Sequence, residues 1–188
     1  MKARVAVLAA FIGTLWIVRA LDSLSPGAGS VAGHGIVPRT WIGLYGILTA
    51  PLIHYDWSHL IANTTPLIIL SAIILLRGVE ELAFAMLVTA LVSGAGTWLF
   101  GSSAEHIGAS GLVLGFTSFL LFRSAFDRRL SSFVITLVVA GVYATTVVLS
   151  LIPHGWFSWT MHFFGFVGGI VAARLRYPAR RRHALRAV

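Results

Sequence analysis

Gly108-Ala109-Ser110-Gly111 sets a hydroxyl between small residues at the mouth of an apolar run that continues to Phe122. This is the setting a buried nucleophile needs. The run 107–122 has 16 residues, about 24 Å of helix against a hydrocarbon core of about 30 Å. Arg123, Arg128 and Arg129 put its far end at a polar surface, so the end carrying Ser110 stops inside the bilayer. The preceding stretch, Gly101-Ser102-Ser103-Ala104-Glu105-His106, is polar and non-periodic. Non-helical backbone at that depth is tolerated only where it is buried in protein or lines a wet cavity, so a water-accessible pocket is expected at Ser110. A plainer reading stands beside this one. Gly111 and Gly115 have the spacing of a helix-packing face, and Gly-x-Ser-Gly alone does not separate the two.

Other polar residues inside apolar runs are few, and such residues tend to be functional. His54-Tyr55-Asp56-Trp57-Ser58-His59-Leu60-Ile61-Ala62-Asn63 opens one run, and His59 and Asn63, four apart, share a helix face. Another contains Trp159-Thr160-Met161-His162-Phe163-Phe164-Gly165, with Gly169 continuing a small-residue face on which His162 is the ionisable group. Counted from the arginine that ends each run, Ser110 is 13 residues from Arg123, His162 is 12 from Arg174 and Asn63 is 14 from Arg77. At 1.5 Å per residue they stand at about 20, 18 and 21 Å, in one layer, with His59 capping it at about 27 Å. A serine, a histidine and further donors at one depth are the parts of nucleophilic acyl transfer: nucleophile, base and oxyanion stabiliser. No carboxylate shares the layer, so a Ser-His dyad is expected rather than a triad. There is no His-Glu-x-x-His and no carboxylate at ligand spacing from His54 or His59, so no metal site and no cofactor is expected.

The elements that position these residues are membrane helices. Hydrophobic residues make up 57% of the 188 and charged residues 11%, against about 25% charged in soluble domains. Without cysteine there is no disulfide, thiolate or cysteine-based metal chemistry. The net charge of +8 comes from basic residues beside apolar spans, which fits anionic lipid head groups and not nucleic acid. Six spans are predicted near 5–21, 57–76, 82–100, 107–122, 131–152 and 157–173. The first is read as retained, because Arg19 and Asp22 follow it without a small-residue cleavage site. With the N-terminus in the cytoplasm, 12 of the 14 Lys and Arg fall inside, leaving Arg19 and Arg39 outside. Trp16, Trp41, Trp57, Trp98, Trp156 and Trp159 then all lie in the outer half. The connection 22–56 carries Pro26, Gly27, Gly29, Gly33, Gly35 and Pro38, then an amphiphilic stretch 41–53 too broken to span, expected along the outer interface. A single domain over 1–188 ends in a basic cytoplasmic tail, about 174–188.

At these residues the chain resembles the rhomboid family of intramembrane serine proteases, over nearly its whole length. The resemblance rests on His54-x4-His59-x3-Asn63, Gly108-Ala109-Ser110-Gly111 and His162-x2-Gly165-x3-Gly169. It implies a six-helix bundle, Ser110 as nucleophile and His162 as general base. It also implies oxyanion stabilisation by the Ser110 backbone N–H with His59 and Asn63, a structural role for His54, and transmembrane proteins as substrates. The chain departs from the family pattern at Tyr45-Gly46, where many members have Trp-Arg, and at Leu114, where many have an aromatic residue. The competing readings are a non-catalytic relative that binds membrane helices in quality control or trafficking, and a transporter or channel. Retention of both Ser110 and His162 disfavours the first, and a polar layer confined to the outer side disfavours the second. A bacterial plasma membrane fits the compact, cysteine-free chain.

Overall fold

A computed structural model describes residues 1–24, 33–153 and 158–186. Pro26, Gly27, Gly29 and Trp156 lie outside the described residues, as does the very end of the basic tail. Among the described residues the architecture is all-helical: α1 (Lys2–Leu24), α2 (Trp41–Thr49), α3 (Trp57–Leu75), α4 (Val79–Phe100), α5 (Ser110–Asp127), α6 (Leu130–Leu151) and α7 (Trp159–Arg186). Four of them, α1, α3, α4 and α6, are long and apolar enough to cross a membrane by length and composition. The chain is thus an integral membrane protein.

α5 is the hub, packed against α3, α4, α6 and α7, and most of its residues from Gly111 to Leu120 are buried. The closest partnership is α5 with α7, built on small residues. A Cβ on Gly165 would run into the Gly111 carbonyl, and one on Gly169 into the Gly115 carbonyl and Ser118 Oγ. Backbones that approach this closely gain dispersion contacts along their length, the main attraction available where lipid tails are as apolar as side chains. Ser118 Oγ adds a hydrogen bond across the pair to the Phe166 carbonyl at 2.7 Å. α6 is peripheral, with Ser132, Val139 and Val147 as its buried residues.

The stretch 41–53 is α2 followed by a 3₁₀ turn, Ala50–Leu52. Nine helical residues give about 14 Å, too short to cross. Trp41, Ile42, Tyr45 and Leu48 are exposed. Thr40 caps α2 by accepting the Gly43 N–H at 3.0 Å. Gly46, at the departure from Trp-Arg, lies so close to the Gly35 carbonyl that a side chain has no space there. The loop is anchored by other means: Glu105 accepts the N–H groups of Gly33 and Gly35 at 2.8 and 2.7 Å. Ile36 and His106 exchange a pair of backbone hydrogen bonds, each 2.9 Å. Arg39 donates to the Leu99 and Gly101 carbonyls, and Trp98 Nε1 donates to the Thr40 carbonyl at 2.8 Å.

One expectation needs correction. Arg123 does not mark the polar surface: α5 runs on to Asp127 and ends where Arg128 adopts a left-handed conformation, φ 52°. Arg123 is 2% exposed, held by Glu81 of α4 at 3.2 Å and Asp127 at 3.3 Å. Arg77 pairs with the same Asp127 at 2.8 Å and Arg176 with Glu81 at 3.1 Å. A buried guanidinium is tolerable when carboxylates on neighbouring helices neutralise it and supply acceptors. Ser110 and Asp127, the two ends of α5, are therefore separated by about 26 Å of helix.

Candidate active site

Ser110 is the first residue of α5 and His162 lies one turn into α7. Their meeting is a product of the Gly111–Gly165 contact, which brings the two helix starts together. Ser110 Oγ and His162 Nε2 are 2.9 Å apart. His162 Nδ1 lies 3.0 Å from the backbone carbonyl of Ser150, near the end of α6. A carbonyl can only accept, so in the neutral ring Nδ1 carries the proton and Nε2 presents its lone pair to the Ser110 hydroxyl. This is the tautomer a general base requires. The orienting group is a neutral backbone oxygen, which leaves no side-chain signature in the sequence. Ser93 of α4 steadies the same turn of α7 by donating to the Met161 carbonyl at 2.9 Å.

The turn ahead of Ser110 is shaped by Gly108 at φ +111°, a conformation that side-chain-bearing residues rarely adopt. Its N–H donates to the Ala50 carbonyl at 2.9 Å, and its Cα faces the His59 ring so closely that an added Cβ would lie 2.6 Å from Cε1. The next N–H, of Ala109, points at His54 Nε2 at 3.4 Å. Burial, then the neighbouring His59, pushes His54 down to about 4, so its ring is neutral at physiological pH and keeps a lone pair for that N–H. His54 and His59 meet edge to face, 5.1 Å between centroids. Asp56 caps α3 by accepting the His59 N–H at 2.7 Å, fixing where that helix begins.

Asn63 is buried one turn below His59 and donates from Nδ2 to the His59 carbonyl at 2.9 Å, leaving its second amide hydrogen for another acceptor. The Ser110 N–H belongs to the first turn of α5, where N–H groups have no acceptor within the helix and the helix dipole is positive. Ser110 itself is partly exposed, with a cavity of about 10 Å³, near the size of one water, beside Gly108 and Gly111. No group of three or more metal-ligating side chains occurs among the described residues. Leu114, at the other departure, is buried in the main apolar core.

Fold and site together define a helical membrane protein with a serine and a histidine in hydrogen-bond contact at the start of two packed helices. The model of the Rhomboid domain matches residues 42–179, and the chain belongs to the rhomboid family. Similar proteins include uncharacterized proteins of Mycobacterium bovis and Mycobacterium tuberculosis, each 38% identical over 187 residues, covering 94% of this chain and 77% of theirs. An uncharacterized protein of Mycobacterium leprae is 34% identical, over 94% of this chain and 73% of its own.

Proposed function

We propose that this rhomboid-family chain is an intramembrane serine endopeptidase that cleaves transmembrane proteins through a Ser110–His162 dyad. The observation that carries the reading is the 2.9 Å contact between Ser110 Oγ and His162 Nε2, with Nδ1 held on the Ser150 carbonyl. Ser110 Oγ attacks the scissile carbonyl carbon while its proton passes to Nε2. The imidazolium is held by the Ser150 carbonyl, and then returns the proton to the leaving amine nitrogen as the peptide C–N bond breaks. Water, deprotonated by the same nitrogen, cleaves the acyl-serine ester and regenerates the hydroxyl. The oxyanion is stabilised by the Ser110 N–H, His59 and Asn63. His54, Gly108, Gly111, Gly165 and Gly169 shape the site.

In this reading α1, α3, α4, α5, α6 and α7 form a six-span bundle of one domain, α2 lies along the outer boundary, and both termini face the cytoplasm of a bacterium. A small-residue-rich substrate segment, locally unwound, reaches Ser110 from the lipid.

Incubation of the detergent-solubilised protein with a fluorophosphonate tests the assignment. Covalent labelling on the peptide containing Ser110, abolished in Ser110→Ala, is expected. An unlabelled but folded wild type would instead favour the non-catalytic, helix-binding alternative. The oxyanion donors are tested separately. Asn63→Ala and His59→Ala should each slow substrate cleavage by about 10²- to 10³-fold. The Ser110 N–H remains, so the loss stays below that of removing the dyad. Full activity of a stable Asn63→Ala protein would return Asn63 to a purely interhelical role.

A further inference from the structure

His106 is a buried titratable residue that the chemistry above does not use. It is 6% exposed and lies four residues before Ser110. Its backbone is pinned on both sides by the pair of hydrogen bonds to Ile36. Its ring Nε2 lies 3.1 Å from the Ser102 carbonyl, which can only accept, so Nε2 carries the proton. Nδ1, 2.6 Å from Ser158 Oγ, then accepts the Ser158 hydroxyl proton. Burial holds this ring below the ordinary histidine range, which keeps that lone pair free of a proton at neutral pH. Gly101 makes room for the ring: an added Cβ there would lie 2.8 Å from Nε2.

Ser158 stands where α7 begins. Its Oγ accepts the Met161 N–H at 3.3 Å, and its carbonyl accepts the N–H of His162 itself at 3.1 Å. A continuous set of hydrogen bonds therefore runs from the loop that carries the nucleophile, through the His106 ring and Ser158, to the backbone of the base. We propose that His106 is a positioning residue that fixes His162 relative to Ser110 by clamping Ser158, the cap of α7, to the loop preceding α5. The proposal rests on the protease reading. Its physical content is that a misplacement of about 1 Å at a reacting pair costs on the order of 10²-fold in rate, so a clamp at this junction controls rate more than binding.

The test is the saturable labelling of Ser110 by a fluorophosphonate, resolved into the maximal rate kinact and the half-saturation constant KI, with thermal melting of each variant recorded alongside. His106→Ala should lower kinact by about tenfold or more and leave KI within about twofold. Asparagine sets its Oδ1 near the place of Nδ1 and glutamine sets its polar end near Nε2, so His106→Asn should recover most of the rate and His106→Gln should not. Ser158→Ala should match His106→Ala, and the double variant should be little slower than either, since both break one link. A wild-type kinact in His106→Ala, equal rates for His106→Asn and His106→Gln, or losses that simply add would each overturn the clamp. If His106→Ala does not fold, the Asn and Gln comparison and Ser158→Ala decide the matter. A wild-type protein that does not label overturns the protease reading and the clamp together, whereas labelling that is indifferent to these variants overturns the clamp alone.

Discussion

Ser110→Ala and His162→Ala are each expected to reduce cleavage of a transmembrane substrate by at least about 10³-fold, roughly 4 kcal/mol of transition-state stabilisation. The double variant should be little worse than either single one. The reason is that the 2.9 Å contact makes one unit of the two side chains: the hydroxyl is a poor nucleophile without the Nε2 lone pair, and the lone pair has nothing to activate without the hydroxyl. Initial rates of product formation in proteoliposomes, compared across the four proteins, measure this. Losses that multiply across the two sites would mean that Ser110 and His162 act in separate steps. What remains in the double variant reports binding and the oxyanion donors alone.

The use of a backbone carbonyl to hold His162 has a physical counterpart elsewhere in the chain. Glu81, which is buried, and Asp127, which is half-buried, sit toward the opposite end of α5, where Arg123, Arg77 and Arg176 neutralise them. A buried carboxylate near Ser110 would need its own cation to offset the cost of desolvation. The Ser150 carbonyl fixes the tautomer of His162 without adding a charge at that depth.

Much of this was legible in the sequence, because hydrophobic run length and small-residue spacing are local properties. The contact of Ser110 and His162 follows from the glycine faces that let their helices approach, whereas the equal depth counted from Arg123 does not hold, because Arg123 lies buried in an ion pair before α5 ends. Asn63 falls on the face of His59 for the same periodic reason. Three features were not legible. Arg123 reads as an interface arginine because it ends an apolar run, whereas its burial depends on Glu81, 42 positions earlier on another helix. The Ser150 carbonyl is a backbone group, invisible to any reading of residue types. His106 lies in a stretch of Gly, Ser and Glu that reads as an undistinguished loop. A histidine four residues before the serine was the available signal, and it gains meaning only once Ser158, 52 positions away, is placed beside it.

Gly165→Val and Gly115→Val are expected to bring activity down toward the level of His162→Ala while leaving Ser110 and His162 chemically intact. At Gly165 the added Cβ would overlap the Gly111 carbonyl and lie 2.9 Å from the Gly111 Cα, one residue beyond the nucleophile. Backbone cannot move aside as a flexible side chain does, so α7 must back away from α5. At Gly115 the new atoms would meet Thr89 of α4 and the Gly165 carbonyl at 2.9 Å, wedging the same seam one turn deeper. A separation of about 1 Å already costs on the order of 10²-fold, and valine, with two further methyl groups, demands more. The 2.9 Å hydrogen bond between Ser110 and His162 would then be broken without loss of either group. Gly165→Ala, which adds the Cβ alone, should fall between wild type and valine. The measurement is the cleavage rate alongside the melting temperature in detergent. Variants that stay folded and still cleave at the wild-type rate would show that the base reaches the serine without the close helix contact, and the glycine seam would then serve stability alone.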